Sequence, residues 1–308
     1  MEAEAISSAP SAPELAREEL RALFEQMVRV RTVDARLAAL GDAGRVGFLP
    51  RALGREAALA GALHALEAGD WLFPTHGDWP VALLRGMDAA SFAHRVFGTA
   101  SDPLKGRDIP SGLSAKGLKI ASVSAPAATH LPHAVGLAWS ARQRGEALVS
   151  AALFDGPEVD AADFHTGVNF AGVMKAPTLF LCRVKDGEPG AAEHAVAYGV
   201  AATRCDATDL REVIAAVREA RERALSGDGA TLIDLVVGGD DAAMEKARAE
   251  LGSGDLDEAA IARRVEEELA SAIDAASRAS EPALGTLFSD VYEAIPPHLD
   301  RQRDEIVR

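Results

Sequence analysis

From Glu14 to Leu40 apolar residues recur at helical spacing: Leu15, Leu20, Leu23, Phe24, Met27, Val30, Val33, Leu37 and Leu40. The pattern predicts one long amphipathic helix that stops at Gly41 or Gly44. Gly54–Ala68 reads as a second helix, and Trp79–Leu84 and Ala89–Phe97 as two more. Asp70–Asp78 reads as a loop around a short strand. Between Gly98 and Lys119 the periodicity fades into Gly, Pro and Ser, which predicts a long loop. Beyond it the pattern alternates. Short apolar runs at Ala147–Phe154, Pro177–Arg183, Ala202–Asp206 and Ala230–Val237 read as buried strands. Helical stretches at Thr129–Arg144, Ala161–Val173, Ala195–Val200 and Asp209–Leu225 lie among them. Strands alternating with helices predict a mostly parallel sheet covered on both faces. Glu245–Ala276 predicts a helical hairpin broken near Gly252–Gly254. A short Leu287–Tyr292 helix and a Pro-containing tail follow.

Composition narrows the function classes. The chain has 308 residues and a formal net charge of −15, which excludes a nucleic-acid partner built on clustered Lys and Arg. No apolar run reaches the ~18–20 residues of a membrane-spanning helix. Two cysteines, Cys182 and Cys205, imply no disulfide framework and suit a reducing cytoplasm, the compartment expected here. Residues 1–13 are rich in Ala, Ser, Glu and Pro and are expected as a disordered leader. Residues 14–237 form the expected main domain, and residues 238–308 a helical hairpin and tail.

Four segments, in order, carry a resemblance. They are Arg45-Val46-Gly47-Phe48-Leu49-Pro50 with Leu53-Gly54-Arg55-Glu56-Ala57, and Asp70-Trp71-Leu72-Phe73-Pro74 with Leu84-Arg85-Gly86. Then come Ser122-Val123-Ser124-Ala125-Pro126 with Leu131-Pro132-His133-Ala134-Val135-Gly136, and Phe288-Ser289-Asp290-Val291-Tyr292 with Pro296-Pro297-His298-Leu299. Together with Leu153–His165 and Leu179–Gly187, they make the chain resemble the alpha subunit of 2-oxo acid dehydrogenase E1 components. The resemblance implies a thiamine-diphosphate-binding-type α/β fold with an N-terminal helical extension. It also implies a cofactor of thiamine diphosphate with magnesium, an α2β2 assembly with a beta-like subunit, and a lipoyl acyltransferase complex beyond it.

The frame is kept and the ligands are not. The family's F-G-D-G turn reads Phe154-Asp155-Gly156-Pro157 here, which puts Gly156 at the acidic metal-binding position. Asp155 is the one candidate ligand left, one residue away. The family's asparagine pair falls on Val184 and Lys185, and an ion pair between the Lys185 ammonium and Asp155 is one expected substitute for the missing cation. Arg183 falls where relatives use an arginine on the phosphate. Ala127 and Ala128 fall where the family's backbone meets the aminopyrimidine, so these three are vestigial cofactor contacts. The family's arginine after F-P-S-Y is replaced: Thr75 is followed by His76 and Gly77. The loop bearing the family's catalytic histidine is deleted after Val237, leaving His76 and His133 as the only candidate catalytic histidines. His133 reads more simply as a packed or hydrogen-bonded core residue, and Cys182 as a buried strand residue. A metal cluster of Glu158, Asp163 and His165 and a Ser124–His133–Asp155 triad are weak readings, since neither has the spacing its chemistry needs.

The sequence thus leads to an expectation of a degenerate alpha-type subunit. It binds thiamine diphosphate and magnesium weakly or not at all, and serves a beta-like subunit, or its own copies, as a structural or regulatory partner. The alternative is an active subunit that oxidatively decarboxylates pyruvate or a branched-chain 2-oxo acid.

Overall fold

The computed structural model describes residues 6–8, 10, 13–252 and 257–306. At its centre lies a six-stranded sheet in the order β1-β5-β6-β4-β3-β2. The strands are β1 (Ser7–Ser8), β2 (Trp71–Phe73), β3 (Ser150–Asp155), β4 (Thr178–Lys185), β5 (Ala201–Asp206) and β6 (Thr231–Val237). Every neighbouring pair is parallel.

The short apolar runs become strands because both of their faces are buried. Leu179 and Leu181 of β4, Leu153 of β3 and Ile233 and Leu235 of β6 enter one core. The alternate residues, Phe180 and Cys182 of β4, Phe154 of β3 and Leu232 of β6, enter the other. This is the period-2 alternation of a strand covered on both sides. The first core is closed by α1 (Arg17–Asp42), α2 (Glu56–Ala65) and α8 (Leu210–Ser226). The second is closed by α5 (His130–Gln143), α6 (Ala162–Met174) and α7 (Ala192–Ala197). Two short helices, α3 (Pro80–Leu84) and α4 (Ala89–Phe97), precede the long loop, which buried Arg95 anchors through Asp102 at 3.0 Å.

Beyond β6 the chain enters α9 (Ala242–Leu251) and α10 (Glu258–Ser277), which pack on α1; α10 also packs on α4. The end of the expected break, beyond Gly252, lies outside the described residues. Three elements differ from expectation. Within the stretch expected as a leader, Ser7–Ser8 adds a strand to the edge of β5, with the Thr203 hydroxyl donating to the Ser7 carbonyl at 3.0 Å. The short helix expected at 195–200 lies at 192–197. The tail is helical in two pieces, α11 (Thr286–Ser289) and α12 (Pro297–Ile306), and α12 buries none of its residues. Among the described residues no helix is long and apolar enough to cross a membrane.

Candidate functional site

In parallel α/β sheets ligands sit at the carboxyl ends of the strands. Among the described residues two clefts open there. The larger, about 770 Å³, is lined by residues that include Gly54, Arg55, Asp155, Arg183, Lys185 and Gly239. The smaller, about 330 Å³, is lined by residues that include Arg55, His76, Ser124, Ala127, His130, Asp155 and Glu158. Arg55 and Asp155 border both.

These two residues belong to an ion lattice. Arg183, at the end of β4, is buried. Its Nε donates to Asp155 Oδ1 at 2.8 Å, and its Nη1 donates to Asp78 Oδ1 at 2.6 Å. Asp78, fully buried, also accepts from the Thr75 amide at 2.9 Å and the Thr75 hydroxyl at 2.8 Å. These bonds hold the turn His76–Asp78. Arg55 completes the set, with Nη2 3.5 Å from Asp155 Oδ2 and Nη1 3.7 Å from Asp78 Oδ1. Burial works to raise the Asp155 pKa, but attraction and hydrogen bonding from Arg183 and then Arg55 outweigh it and hold the carboxyl below its usual range. Burial likewise works to lower the Arg183 pKa, and Asp78 and Asp155 reverse it, so the guanidinium stays charged.

Glu158 ties the neighbouring loops. Its Oε1 accepts from the Asp155 amide at 3.0 Å and its Oε2 from the Ala128 amide at 2.6 Å. Ala128 is buried with φ +59°, a left-handed conformation that costs a non-glycine residue about 1–2 kcal/mol and persists only where its surroundings enforce it. His130, behind it, sets Nε2 2.8 Å from the Leu153 carbonyl. Burial pushes its pKa down, against that hydrogen bond and the charge of Glu158.

The residues singled out from sequence fall as follows. Asp155 reaches the cleft, but its partners are Arg183 and Arg55; the expected Lys185 pair is not formed. Among the described residues the Lys185 side chain is exposed and makes no ion pair. Gly156 faces Val184: a Cβ built on it would lie 3.4 Å from Val184 Cγ1, so these two positions meet as an apolar contact. Arg183 lies on the cleft floor. Ala127 is exposed at the rim of the smaller cleft, and Ala128 is buried beside it. His76 lines the smaller cleft, with Nδ1 3.1 Å from the Ser111 hydroxyl. His133 lies elsewhere. It is exposed on α5 and is not the packed residue the sequence pointed to, because the Ala-rich core face of that helix turns it outward. Cys182 is buried, and burial raises its pKa. Asp163 accepts from the Thr129 hydroxyl at 2.8 Å, and His165 pairs with the Tyr198 hydroxyl at 3.0 Å, so neither meets Glu158.

Two parts of the lattice were not read from sequence, Arg55 and Asp78. The available signal was the arginine missing at Gly77, with Arg55 in the preceding segment able to take its space. A Cβ on Gly77 would lie 2.5 Å from Arg55 Nη1, so the Arg55 guanidinium fills the space a side chain at 77 would take. Beyond β6 only Gly238–Asp241 separates the strand from α9. Arg31 fixes this connection through the Asp241 carboxylate and the Asp240 carbonyl, while its Nε holds buried Glu56 at 2.9 Å.

The chain matches the dehydrogenase E1 component family over residues 25–237. It is 34% identical to the 2-oxoisovalerate dehydrogenase subunit alpha of Bacillus subtilis (strain 168), over 70% of this chain and 69% of that one. It is 29% identical to the mitochondrial 2-oxoisovalerate dehydrogenase subunit alpha 2 of Arabidopsis thaliana, over 93% and 69%. With the mitochondrial subunit alpha of Mus musculus it shares 27% identity over 96% and 76%. The sheet, the order of its motifs and these relatives agree: the chain belongs to the 2-oxo acid dehydrogenase E1 family, on its alpha-subunit side.

Proposed function

We propose that this chain is an alpha-type E1 subunit that has kept its fold for assembly and no longer takes magnesium and thiamine diphosphate productively. The observation that carries the reading is the ion lattice. Magnesium needs several hard oxygen ligands in near-octahedral array. Here Gly156 offers no side-chain oxygen, Val184 faces it, and both Asp155 oxygens are engaged by arginines. The buried phosphate-type donor, Arg183, is likewise spent on Asp78 and Asp155. Glu158 occupies the Ala128 amide, so the donors that would meet a cofactor find partners within the chain. The residues present do not fit a magnesium–diphosphate pair. The short Gly238–Asp241 connection carries no histidine. His76 is held by Ser111, and among the described residues no carboxylate bonds to it to orient it as a general base.

The role left is that of a structural or regulatory partner. Apolar side chains stay exposed on two faces: Trp139, Phe170 and Val173 on α5 and α6, and Leu284, Leu287, Val291 and Tyr292 near α11. Such surface favours a protein partner. We assign a beta-like subunit in an α2β2 assembly, in a cytoplasmic complex that includes a lipoyl acyltransferase, with self-association as the other arrangement. A second reading, an active subunit acting on a branched-chain 2-oxo acid, draws support from the relatives' names and the retained Arg183. It requires Asp155 to leave both arginines for the metal.

Native mass spectrometry of the tagged protein isolated from its own cells separates the two. The expected result is an assembly with a partner subunit and no mass for thiamine diphosphate plus magnesium. That added mass, with a raised melting temperature on adding both to the purified assembly, would return the chain to the active subunits.

A further inference from the structure

Another cavity, of about 280 Å³, lies at the opposite end of the sheet, against β1 and α8. Ala201 and Thr231, which border it, are the first residues of β5 and β6. It shares no lining residue with the two clefts at the carboxyl ends. The wall at β1 is held in place. The Ser7 hydroxyl donates to the Ala202 carbonyl at 3.3 Å, and the Thr203 hydroxyl donates to the Ser7 carbonyl at 3.0 Å. Two opposite charges border the cavity, both from α8: Glu219 is exposed and Arg223 half-buried. A glutamate four residues before an arginine is the order that ordinarily pairs along a helix. Here no ion pair joins them among the described residues, whereas Arg211 and Arg221 of the same helix pair with Glu250 and Asp70, each at 2.7 Å. Arg223 Nε is closed off from solvent, but its two Nη groups stay open and have no acceptor. The Thr231 hydroxyl is also closed off and takes no part.

We propose that this cavity binds a small free amino acid with an apolar side chain. Its volume lies near the lower end of ligand cavities, about 300 Å³, which limits the ligand to a few heavy atoms beyond its charged groups. A zwitterion satisfies both charges at once. Its carboxylate meets the paired Nη groups of Arg223, the geometry a guanidinium favours, and its ammonium meets Glu219. A simple anion would set itself against Glu219 unpaired, and a simple cation against Arg223, so the two charges together select against both. The remaining wall is small and apolar. Ala201, Ala202, Ala216 and Ala220 leave room for a short apolar side chain and favour it by burial. Both charges touch water, so each contributes modestly to the affinity.

The test is a titration with L-valine, by calorimetry and saturation-transfer NMR, on the full chain and on Glu219→Gln, Arg223→Gln and Ala201→Leu. Isovalerate and isobutylamine, which lack the ammonium and the carboxylate in turn, are titrated alongside. Wild type is expected to bind L-valine and to bind each single-charge analogue more weakly. E219Q and R223Q are each expected to lose roughly fivefold in affinity, the worth of one partly solvated charge contact. A201L fills the cavity from a half-buried position and is expected to abolish binding. E219Q changes an exposed side chain, so it keeps the test open even if another variant fails to fold. Three results overturn the proposal: no binding of L-valine by wild type, unchanged affinity in any folded variant, or an analogue that binds as tightly as L-valine. None of them bears on the proposed function, because the cavity shares nothing with the clefts.

Discussion

Replacing Asp78 with alanine tests whether the ion lattice holds the strand ends together. Asp78 and Arg183 are both buried, and their contact is 2.6 Å. Removing one partner of a buried ion pair costs about 3–5 kcal/mol, because the other charge stays behind. Asp155 still engages Arg183 at 2.8 Å, which places the loss at the lower end, about 3 kcal/mol. Asp78 also caps the Thr75 turn, and losing such a cap costs about 1 kcal/mol. The expected total is about 4 kcal/mol, a fall in melting temperature of about 6 °C for a chain of this size. Urea unfolding of wild type, D78A, R183M and D78A/R183M measures it. In the R183M background D78A should cost only about 1 kcal/mol, its cap contribution, so the cycle carries a coupling of about 3 kcal/mol. A coupling below about 1 kcal/mol would refute the lattice as a stabilising unit and leave its ion pairs with the small worth of surface ones.

Three further outcomes follow from the same geometry. Gly77→Ala must push aside the Arg55 guanidinium, so it is expected to cost about 1 kcal/mol in wild type and close to nothing in an R55Q background; equal costs in both would break the proposed exchange of space. Gly190→Ala puts a methyl 1.8 Å from the buried Asp234 carboxylate, whose two oxygens accept the Ala191 and Ala192 amides, so a loss of about 3 kcal/mol or more in urea unfolding is expected. His130 has a folded pKa depressed by burial, so the unfolded chain binds protons more readily below its ordinary pKa of about 6.5. Stability should therefore rise with pH through the window just below that value, and His130→Gln should flatten the rise in unfolding midpoints; an unchanged slope would assign it to another group.

The fold was legible because its strands are buried on both faces. Each reads as a short apolar run, and the helices carry the period of one buried face. What escaped has no such face. β1 is two serines paired at a sheet edge, and α12 buries nothing, so neither leaves a periodic mark. His133 misled because an Ala/Gly-rich helix gives little contrast between its inner and outer sides. In the site, Asp155, Gly156, Arg183 and Lys185 could be placed because motif order fixes them on strand ends. Arg55 could not: it meets Asp155 across a separation of 100 residues, through a loop whose path no local pattern encodes. Glu158 was visible only as a member of a weak metal-cluster reading with Asp163 and His165, although it bridges two loops through backbone amides.

The register of the sheet explains why moving a carboxylate by one residue changes what it can do. Asp155 and Arg183 are paired positions on parallel neighbours β3 and β4. Side chains at paired positions leave the sheet on the same face, so an aspartate at 155 lies beside the arginine. The next position faces elsewhere, and at Gly156 a side chain would meet Val184. An aspartate at 156 is therefore free of the arginine, and one at 155 is captured by it. The exchanged variant Asp155→Gly/Gly156→Asp keeps composition and net charge while undoing that capture. It strips Arg183 of one partner, frees Arg55 Nη2, and sets a carboxylate against a valine methyl. The expected loss is about 3 kcal/mol in urea unfolding, the cost of a buried charge left short of its partner. Wild-type stability in the exchanged variant would mean that Asp155 is incidental to Arg183.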